Sequence, residues 1–226
     1  PIGKFVFLQA VKTLRKWQKN HQHELRMAIN LSPRQFRDLQ LVTFIEEVLM
    51  NNKVPAKCIE LEITEGVLMS GHSFIKKALN ELHQFGITLS MDDFGTGYSS
   101  LSYLRSYPFD GIKIDRSFIS ELDQSQSSEV IVHAIVSMGH ALSLTVTAEG
   151  IETVAQLGKL TELACDQAQG FYLGRPMSPL LFQQVLADAK MARWQDGKCR
   201  CGGRALSAHG TRTYRPARRA WPCALK

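Results

Sequence analysis

Several residues of this chain combine the side-chain types that bind hard metal ions with positions at the ends of short alternating segments. They are Asn30, Glu62, Asp92, Lys113 and Glu149. Carboxylate and amide oxygens are the ligands that Mg²⁺ and Mn²⁺ prefer in proteins. One amide, several carboxylates and an ammonium that converge on one place favour a hydrolytic site built around such ions.

The segments that carry these residues have the period of a β-strand. Polar and apolar residues alternate in 26–30, 60–64, 88–92, 111–115 and 143–149. A period of two buries one face of a strand and leaves the other face polar. The polar residues of interest lie mostly toward the C-terminal ends of the strands, which is where parallel α/β proteins place their active sites.

Asp92 and Asp93 are adjacent, and adjacent residues of a strand point to opposite faces unless the strand ends between them. The following Phe94–Gly97 segment predicts such a break, so both acids can face the same side. Like charges this close raise one pKa unless a cation lies between them, and two Mg²⁺ or Mn²⁺ ions would supply it. An aspartate that caps a helix beside a glycine-rich turn is the alternative for this pair.

Helical patterns separate the predicted strands. They cover 126–141, 153–163, 179–190 and a segment from Phe74 to Phe85 that Gly86 ends, and another helix is predicted to open at Ser32-Pro33 with Gln35 completing a capping box. Alternating strands and helices predict a parallel sheet. Because only one strand face is apolar, a closed barrel is favoured over an open sheet. With last strands near 165–169 and 171–173, the prediction is an α/β fold, a TIM-like (β/α) barrel lacking its first strand.

Charge divides the chain into two parts. Residues 190–226 hold ten of the 27 Lys and Arg residues and one of the 21 acids, which leaves residues 1–189 with a net charge of −3. We therefore predict a folded domain over 1–189 and a disordered basic tail over 190–226. No duplex nucleic acid is expected as a partner of the folded part. A nucleic-acid-binding tail and a zinc site at Cys199, Cys201, His209 and Cys223 are the alternatives for the tail.

The cysteines and the hydropathy of the chain indicate in which cellular compartment the domain is found. Five cysteines without framework spacing favour a reducing environment, so we expect a cytoplasmic domain. No apolar run approaches the length of a membrane span. The chain starts at Pro1 inside an amphipathic pattern, so we expect it to be an internal piece of a longer protein, which leaves a membrane anchor elsewhere open.

Six short motifs occur in an order that resembles the EAL-domain family, phosphodiesterases that open cyclic di-GMP to the linear dinucleotide pGpG. They are Asn30-Leu31-Ser32, Glu62-Ile63-Thr64-Glu65, the 92–100 segment that begins Asp92-Asp93-Phe94-Gly95, the 113–118 segment that begins Lys113-Ile114-Asp115, Ala148-Glu149-Gly150-Ile151-Glu152 and Gln169-Gly170-Phe171. The resemblance covers about residues 2–189 and agrees with the barrel prediction.

The resemblance implies a role for each matching residue. Asn30, Glu62 and Asp92 match metal ligands, with Asp92 bridging two ions and Asp93 serving the second. Lys113 matches the lysine beside the attacking water, and Glu149 matches a general base or second-metal ligand. Asp115 and Gln169 match residues that line the opening of the barrel around these ligands, at the C-terminal ends of the strands. Glu65 matches the glutamate that anchors the loop after Asp93, which the family ties to metal binding and to homodimers.

Four side chains have plainer alternatives. Lys113 could form a structural pair with Asp115, and Glu149 could be an acid favoured near a helix N-terminus. Glu65 could be a surface acid, and Gln169 a loop amide.

The Glu-Ala-Leu tripeptide and the arginine just beyond it are absent from the sequence, and the missing Glu is a metal ligand in the family. We therefore expect weak or no turnover from this chain. The second hypothesis for function is a non-catalytic module that binds cyclic di-GMP or a partner.

Overall fold

The structure is a computed structural model that describes residues 2–20, 25–69, 73–96, 101–195, 204–207 and 213–214. Six parallel strands form its centre, and each pairs with the next one along the chain. They are β1 (Leu25–Asn30), β2 (Ile59–Thr64), β3 (Thr88–Phe94), β4 (Gly111–Ile114), β5 (Thr145–Ala148) and β6 (Gln167–Gln169). The sheet curls into part of a barrel with helices on its outer side, which confirms the predicted α/β class and TIM-like architecture.

Helices fill the connections between the strands. They are α1 (Ile2–Asn20), α2 (Leu41–Asn52), α3 (Glu65–Leu68), α4 (Ser73–Gln84), α5 (Leu101–Ser106), α6 (Arg116–Ser120), α7 (Gln126–Ala141), α8 (Val154–Glu162) and α9 (Pro179–Gln195). The predicted helix over 126–141 is confirmed to the residue. Thr153 and Gln156 form a reciprocal capping box at the start of α8, which fixes where that helix begins.

The two faces of the sheet have opposite character. Leu61, Ile63, Ile112 and Val146 are buried and belong to the apolar core between the strands and the helices. A β-carbon at Gly139 of α7 would lie 2.4 Å from Val146 Cγ2, so this helix packs directly on the apolar face. Alternation then directs the polar residues of the strands to the inner face of the curl, as the sequence pattern predicts.

Two predicted elements are wrong. The helix expected from Pro33 does not continue: the Ser32 hydroxyl does bond Gln35 Oε1 (2.9 Å), but only a 3₁₀ turn follows over Gln35–Arg37. The backbone of Asp38 is extended, and its carboxylate accepts the Gln40 N–H (2.9 Å). This contact interrupts the helix, and α2 begins after it. Leu39, which would be the fourth residue after Gln35 in a continuous helix, is 87% exposed.

The strand expected at 171–173 is a turn. The Leu173 N–H donates to Gly170 O (3.1 Å), and the Tyr172 N–H donates to Ile151 O (3.0 Å). These bonds fold the segment back beside the loop after β5 instead of extending it along β6.

The region predicted as a tail is described only in part. Helix α9 extends to Gln195, β7 (Arg204–Ser207) pairs in parallel with β1, and β8 (Thr213–Tyr214) pairs antiparallel with β6. The cysteines of the tail lie outside the described residues, and the boundary at residue 189 stays a prediction. Among the described helices, none combines the length and the apolar character that crossing a membrane requires.

Candidate active site

A buried lysine between two carboxylates forms the centre of the candidate site. Lys113 lies on β4, and its Nζ is 2.5 Å from Glu62 Oε1 on β2 and in contact with Glu149 Oε1 just after β5. The side chains of Lys113 and Glu62 are 4% and 3% exposed, and that of Glu149 is 22% exposed. We call these three residues, Lys113, Glu62 and Glu149, the Lys113 cluster. It is accessible to solvent on the Glu149 side.

The parallel register brings the remaining strand residues to the same place. Asn30 at the end of β1 is the pairing partner of Glu62, and its Nδ2 donates a hydrogen bond to Glu62 Oε2 (3.0 Å). The Glu149 N–H donates to Ile114 O (3.1 Å), which holds the start of the loop after β5 against β4. Polar side chains from β1, β2, β4 and the end of β5 are thus linked to one another by hydrogen bonds and ion pairs. Their positions in the sequence predict this convergence.

Asp92 and Asp93 reach the site through a β-bulge. In the pairing of β3 with β4, Met91 pairs with Ile112 but Phe94 pairs with Ile114, so β3 has one extra residue. Asp93 has φ +53°, in the left-handed region that Asp tolerates better than most residues. The prediction that the strand ends between the two acids is therefore wrong, because β3 continues to Phe94 and the bulge re-aims the side chains instead.

The electrostatics of the site show an excess of negative charge. Burial raises the pKa of Glu62 to about 7, although Lys113 acts in the opposite direction. Burial also raises the pKa of Glu149 and of Asp93, and the neighbouring Asp92 charge adds to both shifts. Burial alone would lower the pKa of Lys113, but the charges of Glu62, Glu149 and Asp92 outweigh it and raise that pKa. Lys113 is therefore held in its protonated form.

The donor set suits a hard divalent cation. Glu62, Asp92, Asp93 and Glu149 set four carboxylates against the single ammonium of Lys113, and Asn30 adds an amide oxygen. Within the described part of the chain, no three Asp, Glu, His or Cys side chains already converge as a metal cluster. The Lys113 ammonium lies between two of the carboxylates and supplies part of the charge that an ion would supply.

The alternatives for Lys113, Asp92 and Glu149 do not match the contacts. Asp115 does not pair with Lys113: it caps α6 and accepts from the Ser117 N–H (2.9 Å). Asp92 accepts the Asp93 N–H (3.0 Å), a contact within the bulge. Glu149 lies five residues before α8, whose cap is Thr153, and its carboxylate contacts Lys113.

The other predicted residues lie around this centre. Asp115 is close enough to Asp93 that its charge helps to raise the Asp93 pKa. Glu65 is buried at the first position of α3, directly after β2. Gln169 ends β6, and its backbone oxygen accepts the Ile151 N–H (3.1 Å). Residues 97–100 of the loop that Glu65 is predicted to anchor lie outside the described residues.

A separate polar cavity of about 360 Å³ lies toward the opposite ends of the strands. Arg26, Glu60, Ser90, Thr145 and Gln167 are among its lining residues, and the Lys113 cluster is not. The inner face below the candidate site is therefore polar, where barrel interiors are usually filled with branched apolar side chains.

Sequence reasoning missed one contact at the rim of the site. Arg116 Nη2 donates to Glu152 Oε1 (2.7 Å), joining the residue after Asp115 to the loop that carries Glu149. Arg116 and Glu152 are 36 residues apart in the chain. The feature of the sequence that could have indicated their contact is that Arg116 lies three residues after Lys113 and Glu152 three residues after Glu149.

Comparisons with known proteins agree with this geometry. The model of the EAL domain family matches residues 1–176. The chain is 43% identical over 187 residues to the signaling protein YkoW of Bacillus subtilis, covering 83% of this chain and 23% of that protein. It is 41% identical over 186 residues to the bifunctional diguanylate cyclase/cyclic di-GMP phosphodiesterase MucR of Pseudomonas aeruginosa, covering 82% and 27%. The chain spans about a quarter of the length of the curated relatives it matches.

Solved structures share the fold. The PaMucR phosphodiesterase in complex with c-di-GMP aligns with a TM-score of 0.74 at 41% identity and covers 78% of this chain and 71% of that one. A complex of Klebsiella pneumoniae BlrP1 with manganese and cyclic di-GMP aligns with a TM-score of 0.71 at 27% identity and covers 76% and 44%. Structural neighbours of this chain therefore include proteins solved with a divalent metal and the cyclic dinucleotide.

Proposed function

This chain belongs to the EAL domain family, and from that membership we propose that it is a metal-dependent phosphodiesterase that hydrolyses cyclic di-GMP to linear pGpG. The observation that carries the proposal is the buried Lys113 ammonium between Glu62 and Glu149, at the C-terminal ends of parallel strands. Two supports come from the relatives: MucR is named a cyclic di-GMP phosphodiesterase, and the PaMucR structure contains the dinucleotide.

We infer that Asn30, Glu62 and Asp92 would hold one Mg²⁺ or Mn²⁺ ion, and that Asp92 and Asp93 would hold a second beside the Glu149 carboxylate. All are oxygen donors, and four carboxylates facing one ammonium leave a net charge of −3 for cations to neutralise. The raised pKa values of Glu62, Asp93 and Glu149 follow from burial and from that excess charge. Bound ions would supply Lewis acidity toward the phosphoryl oxygens and lower the pKa of the attacking water.

Lys113 acts as a fixed donor of charge and hydrogen bonds. Because its pKa is raised, the ammonium does not lose a proton near neutral pH and cannot be the base. Its remaining N–H groups can point at a phosphoryl oxygen or at the attacking water, where positive charge stabilises the negative charge that develops at phosphorus.

Glu149 is the proposed general base. It is the most exposed member of the Lys113 cluster, so a water between it and the substrate can reach its carboxylate. The carboxylate takes one proton from that water as the oxygen bonds to phosphorus. The phosphorus–oxygen bond to one ribose breaks, and the departing oxygen takes a proton from solvent water to become a hydroxyl, which leaves pGpG. Glu149 then returns its proton to solvent.

The surrounding residues complete the proposal. Asp115 and Gln169 would line the mouth where the dinucleotide enters. Glu65, buried at the start of α3, would anchor the loop after Asp93, and that loop would contribute to a homodimer. We place the domain in the cytoplasm, in keeping with the free thiols of Cys58 and Cys165.

Chromatography of cyclic di-GMP incubated with the chain and Mg²⁺ or Mn²⁺ tests the proposal. Formation of pGpG that is lost in Glu149→Gln supports it. Glu129→Gln is the matched control, because Glu129 is a partly exposed glutamate of α7 that pairs with Lys159 outside the site. The competing hypothesis, a non-catalytic module, predicts binding of cyclic di-GMP in a titration without any pGpG.

A further inference from the structure

The loops that follow β4 and β5 are joined by an ion pair outside the Lys113 cluster. Arg116 begins α6 three residues after Lys113, and Glu152 lies three residues after Glu149. Arg116 Nη2 is 2.7 Å from Glu152 Oε1, and the two side chains are 60% and 45% exposed. An exposed pair alone contributes little to stability, so what matters is which segments it joins.

The stem of Arg116 also packs on the backbone beside Glu149. Gly150 has φ +76°, which L side chains rarely adopt, and a β-carbon there would lie 2.3 Å from Arg116 Cγ. Any other residue would be strained at this φ, and its β-carbon would displace the Arg116 side chain from the loop backbone. Arg116 thus contacts the loop after β5 at two points: its side-chain stem packs on Gly150, and its guanidinium pairs with Glu152.

The opposite side of the same loop is held by β6 and the turn after it. The Ile151 N–H donates to Gln169 O (3.1 Å), and Ile151 O accepts from the Tyr172 N–H (3.0 Å). Gly170 lies so close that a β-carbon on it would be 2.2 Å from the Ile151 nitrogen. Ile151 is fully buried. The loop is fixed on this side by the backbone. On the other side it is held by Arg116 and, at its start, by the bond from the Glu149 N–H to Ile114 O (3.1 Å).

We propose that Arg116 is a positioning residue: through Gly150 and Glu152 it fixes the loop that places the Glu149 carboxylate against Lys113. The consequence for turnover rests on the proposed phosphodiesterase activity, whereas the consequence for the order of the loop does not. The competing role is direct contact of Arg116 with a substrate phosphate, in which case Glu152 would be dispensable.

A double-mutant cycle separates the two roles. Arg116→Met keeps most of the stem and removes the charge, and Glu152→Gln removes the partner's charge. If Arg116 acts through the loop, each single variant lowers kcat about tenfold with KM nearly unchanged, the size typical of groups that orient catalytic ligands. The double variant then loses no more than the worse single variant, because both act through one contact. Arg116→Lys should recover part of kcat.

Lys159→Met is the matched control. It breaks an ion pair of similar length that is also partly exposed, Lys159 to Glu129 (2.6 Å), which joins α8 to α7 away from the site. It should leave kcat, KM and metal affinity as in the wild type.

Two readouts do not depend on turnover. Amide hydrogen exchange of residues 149–152 should quicken in Arg116→Met and in Glu152→Gln, with core peptides unchanged, and Mn²⁺ affinity measured by calorimetry should fall about tenfold. If the wild type does not cleave cyclic di-GMP, the proposed function fails and these two readouts still test the positioning. Unchanged exchange in both variants, additive losses of kcat, or a KM effect confined to Arg116→Met overturns it.

Discussion

Replacing Lys113 by methionine removes the ammonium at the centre of the site while keeping a long apolar side chain. Glu62, 3% exposed, and Glu149, 22% exposed, then face each other without a nearby cation. Breaking a buried ion pair by removing one partner costs about 3–5 kcal/mol, because the remaining charge stays buried. We expect Lys113→Met to lower the free energy of unfolding by about that amount when no metal is present.

The pH dependence of this loss has a definite sign. The pKa of Glu62 is raised to about 7 in the folded protein, from about 4.3 in an unfolded chain, so its contribution to stability is full below the lower value and is lost as the pH rises through about 7. Without Lys113 the folded pKa rises further. The deficit of Lys113→Met should therefore be largest at pH 8 and shrink toward pH 6, by at most about 1.4 kcal/mol per pH unit for one proton.

Urea unfolding in EDTA at pH 6 and pH 8 measures both effects. Lys159→Met is the control, since its pair with Glu129 is more than a third exposed and should contribute less than about 1 kcal/mol. Saturating Mn²⁺ should restore more stability to Lys113→Met than to the wild type, because a cation replaces the lost charge. A deficit no larger than that of Lys159→Met, or one that grows as the pH falls, would refute the electrostatic account of the site.

Three further predictions concern the residues around Lys113. Glu149→Gln should lower kcat by about 10²- to 10⁴-fold, the usual contribution of a general base, while Lys113 keeps its contact with Glu62; steady-state hydrolysis measures this, and an unchanged kcat would remove Glu149 from the reaction. Mn²⁺ affinity should weaken by up to about tenfold per pH unit below about 7, because the Glu62 carboxyl must lose its proton before binding; titration calorimetry at pH 6, 7 and 8 should show that slope, not a constant Kd. Gly150→Ala should lower the free energy of unfolding by about 1–3 kcal/mol, since φ is +76° and the Arg116 stem occupies the β-carbon's space; chemical denaturation would contradict this if the variant equalled the wild type.

Much of the fold follows from periodicity, which is local. The alternating runs around Glu62, Lys113 and Glu149 predict strands, and the structure has strands at 59–64, 111–114 and 145–148. Parallel strands bring their C-terminal ends to one edge, so the approach of Lys113 to Glu62 and Glu149 could also be predicted from the sequence. The roles of these residues in catalysis and metal binding stay predictions.

What could not be predicted depends on contacts between segments. The bulge at Asp92-Asp93 is a mismatch of register between β3 and β4, and one strand's sequence does not contain it. The turn at 171–173 forms because Tyr172 bonds to Ile151 rather than extending β6. The helix predicted from Pro33 fails for a different, local reason: the Asp38 carboxylate accepts the N–H of Gln40, two residues further on, and interrupts the helix.

Chromatography of cyclic di-GMP incubated with the wild-type chain, Lys113→Met and Glu149→Gln, each with Mg²⁺ or Mn²⁺, decides whether Lys113 and Glu149 take part in catalysis. The wild type should form pGpG slowly, because the sequence lacks the Glu-Ala-Leu metal ligand of the family, and both variants should lose this turnover. Turnover that survives both substitutions would exclude Lys113 and Glu149 from catalysis, and a wild-type chain that binds the dinucleotide without forming any pGpG would contradict the phosphodiesterase proposal.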